Sequence, residues 1–194
     1  VDFLYGVHLR PKQELKDGFA VPAIYHGAAK SMAGEIIGED AHAARPHLGQ
    51  NAIEIGASII NQIQGIHLDP MIPYSVKMTK LQANGGSSNI IPGKATFTLD
   101  LRAQTNEVID KISVKLKDIF DMIAKLHEVE INFKTMSHVA AAKVDQEAMN
   151  FMKKAIIDTL GKKRLKAPIV TSGAEDFHFY TLKKPHIKAT MLGL

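Results

Sequence analysis

Five stretches of this 194-residue chain hold side chains able to bind or polarise a ligand. Gly6-Val7-His8-Leu9-Arg10-Pro11 sets an imidazole at the end of a short apolar run. Ligands gather at strand ends in open α/β sheets, and neutral imidazole is the commonest metal ligand; a hydrogen-bonded structural histidine is the plainer alternative. In the turn from Glu39 to His47, His42 stands among small residues, where it can donate to a developing oxyanion. The same turn reads equally as a loop with two exposed histidines, and no third donor flanks His42 and His47 at metal-binding spacing. Gly85-Gly86-Ser87-Ser88-Asn89 is a polar loop whose amide both donates and accepts, or a simple connection. Arg102 closes a strand on its polar face, where its planar fork suits a carboxylate, or it is a surface cation. Finally, Thr171-Ser172-Gly173-Ala174-Glu175-Asp176-Phe177 follows the apolar Pro168-Ile169-Val170. A small-residue turn there presents backbone N–H groups, and its two adjacent carboxylates can meet a substrate amine or serve the structure. No nucleophile elbow, phosphate loop, dinucleotide fingerprint or His-Glu-x-x-His element is present.

The elements that must position these groups follow from periodicity. Residues 51–66 read as a helix with Ile53, Gly56, Ile60 and Ile63 on one face and Ile59 and Ile66 beside them. Residues 105–126 carry Val108, Ile112, Leu116, Ile119, Ile123 and Leu126, with Thr105 as N-cap. A third helix is capped by Asp145, runs through Ala148, Met152, Ala155, Ile156 and Leu160, and stops at Gly161. Strand alternation marks residues 31–38, 74–81, 94–102 and 128–134, the third most cleanly: Ala95, Phe97, Leu99 and Leu101 oppose Thr96, Thr98, Asp100 and Arg102. Residues 85–93 form a long connection between the two middle strands.

This order, strand-helix-strand-strand-helix-strand, is the ferredoxin-like pattern: an antiparallel sheet with both helices on one face. The chain is therefore α/β, with a βαββαβ domain at 31–138 inserted between 1–30 and 139–194, which form one discontinuous α/β domain. The chain opens at Val1 inside a strand and closes inside another at Leu194, so both ends are read as cuts through a folded protein.

Composition narrows the chemistry. With 45% apolar residues and 44 charged ones the chain supports a hydrophobic core. No apolar run spans a bilayer. There are no cysteines, which removes disulfides, thiolate zinc sites and cysteine nucleophiles. A net charge of +4 demands no acidic partner. The basic run Lys162-Lys163-Arg164-Leu165-Lys166 is either a phosphate contact or the solvated end of a helix. The lack of a signal-peptide layout points to the cytoplasm.

Taken in order, Gly6-Val7-His8, Gly38 through His47, Gly85 through Pro92, Leu99-Asp100-Leu101-Arg102 and Gly173 through Phe177 resemble the M20 metallopeptidase family. The resemblance is greatest to its amidohydrolase branch, the N-acyl-amino-acid, hippurate and auxin-conjugate hydrolases. It covers nearly the whole chain, and Gly-x-x-x-His-Ala-Ala-x-Pro-His with Asn-x-Ile-Pro at this separation is specific. It implies a di-metal catalytic domain interrupted by a ferredoxin-like lid that forms a homodimer. By the same resemblance His8 matches a metal ligand. His42 matches the catalytic lid histidine that reaches a neighbouring subunit's site and holds the scissile carbonyl oxygen. Asn89 and Arg102 match lid residues for the substrate carboxylate, and Thr171, Ser172 and Gly173 match part of the substrate pocket. The implied reaction is hydrolysis of an N-acyl amino acid or related conjugate by metal-activated water, with two ions of Zn, Mn, Co or Ni as Lewis acid and hydroxide source.

The family's upstream half, with its Cys-Gly-His-Asp-type and Glu-Glu elements, is missing here, as is its terminal histidine. The resemblance therefore implies a C-terminal part of such an enzyme, inactive alone and not holding both metals. Two other readings stand beside it. One is a non-catalytic ferredoxin-like dimerisation or binding module. The other is an RNA-binding domain of the same topology, which the non-aromatic Thr96, Thr98, Asp100 and Arg102 face argues against. Neither nucleic acid nor membrane is expected as a partner.

Overall fold

The computed structural model describes residues 1–194. In chain order its elements are β1 (Phe3–His8), β2 (Ile24–His26), β3 (Ala28–Ile37), β4 (Ala41–His42), α1 (Ala52–Gln64), β5 (Tyr74–Ala83), β6 (Ile90–Ile91) and β7 (Lys94–Ala103). Then follow α2 (Asn106–His127), β8 (Glu130–Val139), α3 (Gln146–Leu160), β9 (Ile169–Thr171), α4 (Phe179–Lys183) and β10 (Lys188–Gly193). They divide into two compact units. One comprises Ala29–Ala103 and Glu107–His138, the other Val1–Ala28, Gln104–Asn106 and Val139–Leu194.

The first unit is the ferredoxin-like one. Its four-stranded sheet has the order β5-β7-β3-β8, and β5 and β7 pair antiparallel from Tyr74↔Ala103 to Ala83↔Ala95, with a register shift between Met78 and Lys80. On β7 the alternation is complete: Ala95, Phe97, Leu99, Leu101 and Ala103 are buried. Helix α1 packs on β5 and β7. Phe120 of α2 lies 5.5 Å from Phe97 and 4.8 Å from Phe133 of β8, ring centre to ring centre.

Two helix faces differ from the sequence expectation. In α1 the buried row is Ala52, Ile55, Gly56, Ile59 and Ile63, while Ile53 is 49% exposed. At about 100° per residue Ile53 lies roughly a quarter turn from the centre of that row; five isoleucines within one segment left its phase ambiguous. In α2 the buried row is Val108, Ile109, Ile112, Leu116, Phe120 and Ile123. Phe120 takes the place expected of Ile119, and Leu126 is 72% exposed in the last turn. The last strand begins at Glu130 rather than at 128 because Glu128 takes a positive φ of 53° to leave the helix.

In the second unit β1 pairs parallel with β10 and β2 parallel with β9. Helix α3, capped by the Asp145 carboxylate accepting from the N–H groups of Glu147 and Ala148, packs on β10 and β1. Only Ala148 and Ile156 of α3 are buried; Ala155, expected on the same face, is exposed. Leu15, Val21, Ile24 and Met191 form a core to which Phe19, Ile169 and Phe177 add. The short helix α4, five residues long, is too brief for its periodicity to be read from the sequence.

These packing differences are measurable. Phe120→Ala should cost about 3–5 kcal/mol of the ferredoxin-like unit's stability, whereas Leu126→Ala should change it by less than about 0.5 kcal/mol. Urea unfolding followed by circular dichroism reads both; equal costs would contradict the packing.

Candidate functional site

The first cluster belongs to the ferredoxin-like unit. After β3 the chain turns through Gly38, Glu39 and Asp40, and the segment before β7 crosses it. Gly38 N–H donates to Gly93 O at 2.8 Å, Gly93 N–H to Asp40 Oδ1 at 2.6 Å, and Glu39 N–H to Gln50 Oε1 at 2.9 Å. A Cβ on Gly93 would stand 2.4 Å from the Glu39 carbonyl carbon, so only glycine allows the crossing. Beyond it β4 and β6 form a short antiparallel ribbon, Ala41↔Ile91 and His42↔Ile90. Residues 85–93, expected to be an irregular connection, thus contain a strand, too short at two residues for periodicity to reveal.

The ribbon brings His42 to Asn89. Ala43 N–H donates to Asn89 O at 2.8 Å, and the Asn89 amide meets His42 Nε2 at 3.2 Å. His42 Nδ1 accepts from Ala44 N–H at 3.1 Å, so a neutral imidazole carries its proton on Nε2. The Asn89 oxygen must then face that proton. With the amide as placed, the Ser87 hydroxyl donates to Asn89 Oδ1 at 2.8 Å; exchanging the amide's oxygen and nitrogen to meet the Nε2 proton turns that contact into a donation from Asn89 Nδ2 to Ser87 Oγ.

Arg102 is held elsewhere. Its Nε and Nη2 donate to Asp100 at 2.9 and 3.1 Å, and this hydrogen bonding raises its pKa above the ordinary range. The ribbon springs from the Lys94 end of β7, and Arg102 stands eight residues along the strand, roughly 26 Å away. The structure therefore joins His42 to Asn89 and leaves Arg102 at the opposite end of the sheet.

The second cluster belongs to the other unit. His8, at the end of β1, places Nδ1 2.6 Å from Leu9 O and Nε2 3.4 Å from Glu175 Oε2. Its ring lies 5.5 Å from that of His26, which in turn lies 5.2 Å from His178. His26 Nδ1 and His178 Nε2 share a hydrogen bond of 3.0 Å. Both are buried, and burial lowers each pKa to about 4, with His178, Arg10 and His8 lowering His26 further. Both rings are thus neutral at neutral pH. Thr171, Ser172 and Gly173 form the turn after β9. Gly27 N–H donates to the carbonyls of Thr171 and Gly173, and Thr171 Oγ1 accepts from Gly173 N–H at 3.2 Å. The Thr171 hydroxyl thereby holds the turn, while Ser172 is exposed.

No group of three or more His, Cys, Asp or Glu side chains converges as a metal cage. His8 and Glu175 offer two donors only. The sequence does not reveal His26 and His178 as a pair: the first follows Ala23-Ile24-Tyr25 and the second Glu175-Asp176-Phe177, with nothing to show that β2 and the turn after β9 come together.

The family model of the peptidase dimerisation domain matches residues 25–128, and the chain belongs to this family, that of the M20 peptidases. The hippurate hydrolase of Campylobacter jejuni is 25% identical over 185 residues, 92% of this chain and 48% of the relative. An N-acetyldiaminopimelate deacetylase of Limosilactobacillus fermentum is 31% identical over 137 residues, 68% of this chain and 35% of the relative. Among solved structures, the aminobenzoyl-glutamate utilization protein of Klebsiella pneumoniae superposes with a TM-score of 0.82 at 17% identity, covering 100% of this chain and 50% of its own. The Bacillus subtilis YXEP protein, described as a dinuclear metal-binding peptidase of the M20 family, gives 0.76 at 19% identity, covering 100% and 48%. The chain spans about half the length of relatives matched along nearly all of it. No helix is long and apolar enough to cross a membrane.

The buried histidine pair sets a pH dependence. Because the folded pKa lies below the ordinary 6.5 or so, the unfolded chain binds the proton first as pH falls. This stability is intact above about pH 6.5 and is lost as pH falls toward 4, by roughly 2 kcal/mol per imidazole between pH 7 and 5. Imidazole NMR should show both rings neutral down to pH 5; titration of both near 6.5 would contradict the burial.

Proposed function

We propose that this chain is the lid, with part of the catalytic domain, of a metal-dependent amidohydrolase acting on N-acyl amino acids or related small conjugates. The observation that carries the reading is the His42–Asn89 pair, an N–H donor and an amide fixed side by side on a rigid ribbon. The relatives add the substrate class: hippurate and N-acetyldiaminopimelate, named in their descriptions, are both N-acyl amino acids.

In this reading His42 redirects its Nε2 proton from the Asn89 oxygen to the substrate's amide carbonyl oxygen as negative charge develops there. Asn89 holds that imidazole in the right tautomer, and its second N–H remains free for the substrate carboxylate. Arg102 also binds a carboxylate, through the edge of its fork that Asp100 leaves open. Since the ribbon and Arg102 stand roughly 26 Å apart along β7, they serve different sites, which accords with a homodimer in which the ribbon reaches the neighbouring subunit. Thr171, Ser172 and Gly173 shape the pocket wall, and His8 is a metal ligand with its Nε2 lone pair outward. Divalent ions, when bound, supply a Lewis acid and lower the pKa of water. Residues beyond these 194 complete their donor set.

The competing reading, a dimerisation module without chemistry, is favoured by the match to a dimerisation domain. Substitution in the intact enzyme separates the two. His42→Ala should lower kcat by about 10²–10³-fold, and Asn89→Ala should reduce kcat/KM, with the dimer seen by light scattering unchanged. Unaltered turnover in both variants would leave the assembly role alone.

A further inference from the structure

We infer that the open face of the ferredoxin-like sheet binds a free α-amino acid, in a hollow where Lys80 and Lys134 take the carboxylate and Glu35 takes the ammonium group. The site stands apart from the His42–Asn89 pair. Only the source of its ligand, the amino acid that amide hydrolysis releases, rests on the reading above.

The strand pattern turns the lining of this hollow to the solvent side. Lys80 is in register with Thr98, and on β7 Thr96 and Thr98 alternate with the buried Ala95, Phe97 and Leu99. A Cβ on Gly34 would meet the Phe97 ring, so Gly34 faces the core and its neighbours Ala33 and Glu35 face out. Phe133 packs on Phe120, which turns Asn132 and Lys134 outward. The sheet order β5-β7-β3-β8 puts the two lysines on the outer strands, whose backbones stand about 14 Å apart. Their flexible four-carbon stems can lean inward across that span. On β3 between them, the methyl group of Ala33 is too short to fill the middle of the face. The result is a hollow of about 530 Å³, within the size range of small-molecule sites.

Charge selects the ligand. Both signs line this hollow, yet they do not cancel within it. Neither lysine enters an ion pair, and Glu35 accepts only a 3.5 Å hydrogen bond from Asn132 Nδ2. Further along the same face, Arg102 and Asp100 do pair with each other. A dianion suits the two lysines but meets Glu35, and an organic cation suits Glu35 but meets the lysines. An α-amino acid carries both charges on one carbon atom and satisfies all three. The Thr96 and Thr98 hydroxyls beside it can donate or accept. Its ammonium group is what an N-acyl amino acid lacks, so the hollow tells product from substrate.

The test titrates the 194-residue chain at neutral pH with L-alanine, N-acetyl-L-alanine and L-alanine amide, followed by backbone amide shifts in NMR. L-Alanine should shift residues 33–35, 80, 96–98 and 132–134, and should bind at least about tenfold tighter than either analogue, the loss expected of one charged hydrogen bond. Glu35→Gln should erase the preference over N-acetyl-L-alanine. Lys80→Met with Lys134→Met, which keeps most of both stems, should weaken L-alanine by a similar factor with the circular dichroism spectrum unchanged. Equal binding of L-alanine and N-acetyl-L-alanine overturns the role of Glu35, and equal binding of L-alanine and its amide overturns that of the lysines. No shift in this hollow up to about 100 mM ligand overturns the site. None of these results bears on the hydrolase reading, which the turnover of His42→Ala and Asn89→Ala tests separately.

Discussion

The crossing of residues 38–40 by Gly93 is the constraint on which the meeting of His42 and Asn89 depends. At this point two backbone segments approach until nothing larger than a hydrogen fits, and the Asp40 carboxylate accepts the Gly93 N–H within the crossing. A backbone gripped in this way leaves β4 and β6 no freedom of register, and register decides which side chains meet. His42 pairs with Ile90, so Asn89 is the next residue to reach the imidazole. The arrangement then needs only one more bond, from Ala44 N–H to Nδ1, to set which nitrogen carries the proton. A side-chain pairing of this kind needs few residues because the backbone does most of the positioning.

The other unit reaches its geometry by a different route. Its strands are short and parallel, with Tyr5, Val7 and Val170 exposed on one side and Ile24, His26, Ala189 and Met191 buried on the other. Burial is correspondingly deep around β2, where His26 is enclosed and shares its hydrogen bond with His178. Neutral imidazoles placed there add no charge beside His8. The lid cluster presents exposed polar groups on a clasped ribbon, whereas this cluster combines a buried neutral pair with the partly exposed His8 and Glu175.

Legibility in the sequence followed the range of the interactions. Strand β7 and the cap Asp145 are written in local pattern and stand where periodicity and side-chain chemistry put them. The phase of α1 was harder, because Ile53, Ile55, Ile59, Ile60 and Ile63 satisfy more than one face and only packing against β5 and β7 chooses. His42 and Asn89 were legible as candidates but not as partners, since a two-residue ribbon joins positions 47 apart with no periodic signal. Their resemblance to family elements supplied the order that physics alone left open. Glu175 was visible as a carboxylate beside Asp176, yet its neighbour His8 lies at the other end of the chain and no local rule connects them. His26 and His178 gave no sign, because two imidazoles 152 positions apart read the same whether they form a buried pair or are unrelated.

The central claim is that these residues carry the M20 lid and only part of the donor set of a metal-dependent hydrolase. The most direct measurement is bound metal per chain, by plasma mass spectrometry, after equilibration with excess zinc or manganese and gel filtration. Two donors bind too weakly to survive that step, so well under one ion per chain is predicted. Close to two retained ions per chain would mean that these 194 residues build a complete site, and would contradict the account.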